Sequence, residues 1–352
     1  MPGVDYFSLR SAGARWHLHQ ISPDDRRFGY VRMRRQNYRN SVFLDTRIDR
    51  PDSQVLQVKA PKVAPAKRRL PVHFIFHSAF CGSTLLSRAF ESDAQTLVLR
   101  EPLALLQLAE TRRLHADRWH GRRFKQLVDV VLSSLSVAFD GQTRVVIKPS
   151  NLVCGLTPEL MSDSRSRATL MFQGLRSFLV SCAKKNADTQ LRLLDLPARL
   201  CGYFGMPLVP ADQLAFEQAR SDYLRAGALA WLLHMRQFNQ LLQSRWSPRL
   251  LPLDFDDWLD QPRRHADQLA ARLGIRLGEP HWLTTHAKQP GTHYGADQRQ
   301  RETDTVIRML GGALPRAIDW LDRSFPGEPA ELHSRLRSAA ADALAGPSKV
   351  AV

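Results

Sequence analysis

From Val72 onward the chain alternates short apolar, β-rich runs with segments of helical spacing, and this alternation limits the folds open to it. "VHFIFHS" is followed by "STLLSRAFESD", and "TLVLREP" by "LALLQLAE". A longer amphipathic segment runs from Phe124 to Phe139. "TRVVIKPS" and "ATLMFQ" then read as two more buried strands, the second leading into the helical "LRSFLVSCAKK". Strand followed by helix, repeated, predicts an α/β fold with a parallel sheet covered by helices on both faces. Gln213 to Trp246 keeps helical spacing over a long stretch, with Gly227 as its expected interruption. "RLLPLDF" is a last strand, followed by the helical "PRRHADQLAARLGI".

Before this region the pattern is different. Residues 1–50 carry short strand-like pieces, "RFGYVRMRR" and "SVFLDTRI", between polar turns. "APKVAPAKRRLP" (Ala60 to Pro71) has the prolines and charges of a linker. The expected organisation is a basic N-terminal segment and linker over 1–70, an α/β domain over 71–325, and an Ala- and charge-rich tail over 326–352 that forms a loosely attached helix.

Charge bears on the partner. Residues 1–70 hold 15 Lys/Arg against six Asp, more than half of the formal net charge of +16. Such a surplus favours anionic partners: nucleic acid, acidic lipid or a polyanionic small molecule. A nucleic-acid role rests on charge alone, because no recognition motif accompanies it. No apolar run reaches the roughly 20 residues of a membrane span. "MPGVDYFSLR" has no apolar core of a secretory signal, so none is expected. Four scattered cysteines without a CxxC pair make a zinc site or disulfide framework unexpected, and a cytoplasmic, reducing location the default.

The stretch "VHFIFHSAFCGSTLLSRAF" has the outline of a phosphate-binding loop: a strand, a short turn with one glycine, then a helix. Backbone N–H groups in such a turn converge on one point, where the helix N-terminus adds partial positive charge. The nucleotide-hydrolysing form, G-x-x-x-x-G-K-[ST], aligns with His77 to Thr84. His77 takes the place of the first glycine, and Ser83 replaces the lysine. A triphosphate with its metal is poorly neutralised by such a loop.

This loop, with Gly82, Ser83, Thr84 and the apolar pair after them, resembles that of the sulfotransferases that use 3′-phosphoadenosine-5′-phosphosulfate (PAPS). Further stretches resemble the same family in order and spacing: "LREP", "VVIKPSN", "LMFQGLRSFLVS", "LPLDFDDWLDQPRRHADQLAARLGI" and "AKQPGTHYGADQR". Together they cover about residues 72–300. The resemblance implies a P-loop α/β fold, a PAPS donor without a metal, and a hydroxyl or amine acceptor whose identity the sequence does not give. It assigns Phe80, Cys81, Gly82, Ser83 and Thr84 to the 5′-phosphosulfate, and Gln173, Arg176 and Ser181 to the 3′-phosphate. Two positions depart from the family pattern: Phe80 stands where the loop carries a basic residue, and Gln173 where an arginine is expected. His77, Arg88, Arg100 and Lys148 are candidates for the missing charge.

Sulfuryl transfer needs an anion hold, a cation and a base. On this reading Lys148 offsets charge on the leaving phosphate. Glu101, at the end of the second α/β strand, takes the acceptor proton, and His77 is the reserve base. Cys81 sits at a helix start, a place that lowers thiol pKa values. Asp254, Asp256 and Asp257 read as a helix cap rather than a metal site. A P-loop small-molecule kinase and a non-catalytic sulfotransferase-like binding protein stay open as alternatives.

Overall fold

The computed structural model describes residues 4–50, 52, 54–64, 70–207, 209–289 and 292–345. Its centre is a five-stranded parallel sheet. The strands that precede it are β1 (Trp16–Ser22), β2 (Arg27–Arg32) and β3 (Leu56–Lys59), which pair antiparallel in the order β1-β2-β3. The parallel sheet holds β4 (Val72–His77), β5 (Thr96–Arg100), β6 (Arg144–Lys148), β7 (Arg167–Phe172) and β8 (Leu250–Asp254), ordered β5-β6-β4-β7-β8. All neighbours run parallel, as the strand–helix alternation requires.

Strand β4 is buried along its whole length, which explains its uninterrupted apolar run. After β4 the chain crosses to the β5 edge and returns through β6. It then passes over β4 to β7 and β8 on the other side. Register aligns Arg100 with Lys148, His77 with Met171, and Phe172 with Asp254. The carboxyl ends of all five strands therefore meet at one sheet edge, beside the strand where the winding reverses. Open α/β sheets bind their ligands in this position.

The N-terminal residues share the core of the sheet domain. Tyr6, Phe28 and Tyr30 lie in one apolar cluster with Val128 and Val131 of the helix Gly121–Leu135. Tyr6 Oη donates to the Val130 carbonyl at 3.2 Å, and Tyr30 Oη meets Ser134 Oγ at 2.8 Å. The expected strand in "SVFLDTRI" does not form. Leu44 N donates to the Arg100 carbonyl at 2.6 Å, and Leu103 N to the Leu44 carbonyl at 3.1 Å. The segment crosses the end of β5 as an irregular strap rather than joining a ladder. Of the expected linker, residues 65–69 lie outside the described residues.

Two helical expectations are also corrected. Gln213–Trp246 is two helices, Pro210–Ala219 and Tyr223–Leu242, and the break falls at Arg220–Asp222. Asp222 caps the second helix by accepting the Leu224 and Arg225 N–H groups. Gly227 lies inside that helix, where a Cβ would press on Leu179 and Cys182 at 3.3 and 3.4 Å. The tail is not loosely attached. Glu328–Ala345 is a helix docked on β8 and on Tyr223–Leu242, burying Leu332, Leu336 and Ala340. Its Arg337 pairs with Asp254 and Asp257. Residues 346–352 of the tail lie outside the described residues.

Because Leu336 is fully buried, Leu336→Ala should lower unfolding stability by about 2–4 kcal/mol. Denaturant midpoints measure this; a wild-type midpoint would mean that the helix is not part of the cooperative fold.

Candidate active site

The turn after β4 takes a strained path. Ser78 N donates to the Met171 carbonyl at 3.0 Å, tying the turn to β7. Ala79 and Phe80 then adopt positive φ (68° and 52°), and Gly82 follows at 69°. A non-glycine residue held in this region costs about 1–3 kcal/mol, and such strain collects at functional sites. Gly82 has a second constraint: a Cβ there would lie 2.0 Å from the Phe255 ring. Phe255 is held from below by a stack running through Trp258 to Trp282. Only glycine allows the turn and this packing together. The helix Ser83–Glu91 that follows has no side-chain cap. The Leu85 and Leu86 N–H groups donate to the Gly82 carbonyl at 2.8 and 3.2 Å, which leaves the Ser83 and Thr84 N–H groups, without a partner among the described residues, available to an anion.

This loop forms one wall of a cleft of about 570 Å³. His77, Gly82, Ser83, Thr84, Glu101 and Lys148 all line it, so the structure brings the sequence-derived loop and the Glu101–Lys148 pair together. Lys148 Nζ donates to Glu101 Oε1 at 2.5 Å, and Lys148 is 1% exposed. The Glu101 backbone N–H donates to the Lys148 carbonyl at 2.6 Å, and its φ is 50°. The ends of β5 and β6 are thus joined twice, through main chain and side chain. Glu101 Oε2 makes no hydrogen bond among the described residues.

His77 also borders the cleft, but both of its nitrogens are engaged. Nδ1 accepts the Ala79 N–H at 3.1 Å, and Nε2 donates to the Pro149 carbonyl at 3.0 Å. Burial, then the Lys148 charge, pulls its pKa well below the usual imidazole value. It holds the turn as a neutral ring. Cys81 is fully buried and its thiol donates to the Met171 carbonyl at 3.3 Å. Burial raises its pKa to about 11, outweighing the effect expected of a helix start. Arg88 and Arg100 turn away from the cleft to bind main-chain carbonyls of residues 38–41 and Glu91.

The cations of the cleft come from elsewhere. Arg47 arrives on the N-terminal strap, Lys185, Arg192 and Arg199 on the segment after β7, and Lys288 and Arg299 from the region after residue 280. Glu101 is the one acid among the described lining residues. Phe43 sits among these charges, with the Arg47 guanidinium 4.3 Å from its ring centroid and Lys148 and Lys288 Nζ each at 5.4 Å. Lys185 Nζ lies 5.3 Å from the Phe80 centroid. Lys288 keeps an exposed face, yet its ammonium is crowded. Desolvation, then the charges of Lys185 and Lys148, lowers its pKa to about 8.

Gln173, Arg176 and Ser181 do not line the cleft. Gln173 is buried, with its side-chain Nε2 unpartnered, while Arg176 is exposed. At the start of the helix Leu175–Ala183, the Gly174 N–H donates to Asp256 Oδ2 at 2.9 Å, and the His333 ring lies 3.4 Å from where a Gly174 Cβ would be. The chain's own carboxylate occupies this helix terminus. Asp254 accepts the Asp256 N–H as a helix cap, and no cluster of metal-ligating side chains occurs among the described residues.

No protein-family model matches the sequence, and no curated protein matches it. Among solved structures, the chain is similar to a sulfotransferase from Alicyclobacillus acidocaldarius at 14% identity and a TM-score of 0.39. That match covers 76% of this chain and 98% of the other. It is also similar to the sulfotransferase domain from the curacin biosynthetic pathway at 16% identity and a TM-score of 0.41, covering 77% and 99%.

The Lys288 pKa gives a stability prediction. A lysine with a folded pKa of about 8 and an ordinary pKa of 10.5 binds fewer protons folded than unfolded between those values. Stability is therefore diminished below about pH 8 and regained as pH rises towards 10.5. Lys288→Met should raise Tm at pH 7 by about 1–2 °C, an advantage that shrinks above pH 8. Calorimetric melts across pH 6.5–9.5 read this directly.

Proposed function

We propose that this chain is a sulfotransferase-like enzyme that moves a sulfuryl group from a phosphosulfate donor of the PAPS type to a hydroxyl or amine acceptor. One observation carries the reading: a lysine-less phosphate loop opens into the same cation-rich cleft as a carboxylate held by a buried lysine. The motif order over residues 72–300 supports it independently. A loop with Ser83 in place of lysine suits an anion whose far end carries less charge than a γ-phosphate.

A bound phosphosulfate supplies the group transferred, its sulfur–oxygen bond to phosphate breaking as the bond to the acceptor forms. The N–H groups at the start of Ser83–Glu91 hold the phosphate side and stabilise the charge left there. Glu101 Oε2 takes the proton of the acceptor O–H or N–H, while Lys148 orients the carboxylate through Oε1. Arg47, Lys185 and Lys288 add positive potential over the same volume.

The site fits a PAPS-type donor at one end only. The loop and its cations suit the phosphosulfate. The Gly174 helix start, with Asp256 on its N–H and Gln173 beside it, does not suit a 3′-phosphate. This favours one second reading, a sulfotransferase-like scaffold that binds an anion without transferring it.

Calorimetric titration with 3′,5′-adenosine bisphosphate, with Mg·ATP in parallel, separates these readings. Binding of the bisphosphate through its 5′-phosphate, retained in Glu101→Gln, is the expected result. Given an acceptor, Glu101→Gln should then slow transfer by about 10²–10⁴-fold. Binding of Mg·ATP alone would overturn the proposal in favour of phosphoryl transfer. Silence with both would favour the non-catalytic scaffold.

A further inference from the structure

The three lysines of the cleft are held in two different ways. Lys148 is paired with Glu101. Lys185 and Lys288 make no ion pair among the described residues and lie over aromatic rings, Phe80 and Phe43, at 5.3 and 5.4 Å. An aromatic face attracts a cation through its quadrupole but carries no net negative charge. A lysine held by a ring is positioned without being neutralised. Desolvation first, and then the like charges of Lys185 and Lys148, bear on the Lys288 ammonium, and a bound anion would relieve the opposition of those charges.

We propose that Lys185 and Lys288, together with the N–H groups of the Gly82–Thr84 turn, form a binding centre for a phosphate-like dianion. They supply from two other segments the cation that Ser83 leaves out of the loop. The inference rests on the reading that this loop binds an anion, and it deepens that reading by naming the side chains and the charge class of the ligand. Phe80 then has a role at the loop position where the sulfotransferase pattern carries a basic residue. Its ring also leans on Phe178 at 5.7 Å, which fixes the face beneath Lys185. Phe80 and Phe43 are positioning residues, and Lys185 and Lys288 are the groups that meet the ligand.

The test uses the full chain and inorganic pyrophosphate as the probe, titrated calorimetrically at pH 7 and low salt, with 3′,5′-adenosine bisphosphate as a second ligand. Lys185→Ala and Lys288→Ala should each weaken pyrophosphate binding about tenfold. Lys185→Arg should restore most of the loss. Lys125→Ala, on the helix Gly121–Leu135 away from the cleft, should change nothing. Phe80→Leu should weaken binding when Lys185 is present and have no further effect in Lys185→Ala, a non-additivity that general loosening of the loop would not produce. Wild-type affinity in both lysine variants would overturn the proposal, as would additive effects of Phe80→Leu and Lys185→Ala, or no pyrophosphate binding by the wild type. Lysine-dependent pyrophosphate binding without bisphosphate binding would sustain this centre while sinking the nucleotide-donor reading.

Discussion

The arrangement of the cleft depends on Arg100. Its guanidinium is 1% exposed and donates to the main-chain carbonyls of Tyr38, Arg39 and Ser41, while Nη1 pairs with Glu91 at 2.9 Å. A buried charge is tolerated only when its donors are satisfied, and here most of the acceptors come from one short stretch of main chain. The arginine at the end of β5 therefore fixes where residues 38–41 lie, and the strap that continues from them delivers Phe43 and Arg47 to the cleft. The next residue, Glu101, is pinned to the end of β6. Two adjacent residues thus join the N-terminal region, β5 and β6 around one site.

Electrostatic imbalance follows from that construction. The cations reach the cleft from the strap, from β6, from the segment after β7 and from the region after residue 280, and Glu101 is the one carboxylate among the described residues that line it with them. In a recess with low-dielectric walls such a set focuses positive potential outward and raises the local concentration of anions. The same charges repel one another, so the folded chain retains them at some cost to its own stability. Strain at Ala79, Phe80 and Glu101 lies at the same place. Both features are concentrated at one end of the sheet, as expected where local stability has been traded for a binding geometry.

The sheet was legible because its signals are local. An uninterrupted apolar run such as "VHFIFHS" followed by helical spacing identifies a buried parallel strand and its crossover within one window of sequence. The loop was legible for the same reason, since its strand, glycine and helix start are contiguous. Glu101 and Lys148 could be nominated because each ends a strand, and strand ends in this architecture converge. Lys185 and Lys288 could not be, because nothing local distinguishes a lysine over a distant ring from a solvated one. "SVFLDTRI" misled in the opposite sense. Its Phe43 and Leu44 are buried as a strand's residues would be, yet Arg100, about 60 residues away, determines their path. The tail failed similarly, because an Ala-rich amphipathic helix gives no sign of whether a partner face exists.

The missing loop lysine can be understood by comparing two ways of placing a charge beside an anion. A lysine within the loop sits on the strand–helix turn itself and is set by local backbone geometry. A lysine from elsewhere must be held by packing, and its long side chain loses more rotamer freedom on being ordered. An aromatic ring recovers part of that loss without the neutralisation that a carboxylate partner would bring. A carboxylate beside Lys185 would hold it as well, but would leave the site with less net charge for its ligand. On the proposed anion-binding reading, Phe80 in the loop and Phe43 on the strap meet this requirement from two sides. The requirement also accounts for why an apolar side chain can stand at a loop position where a basic one is expected, while the cleft around it remains strongly cationic.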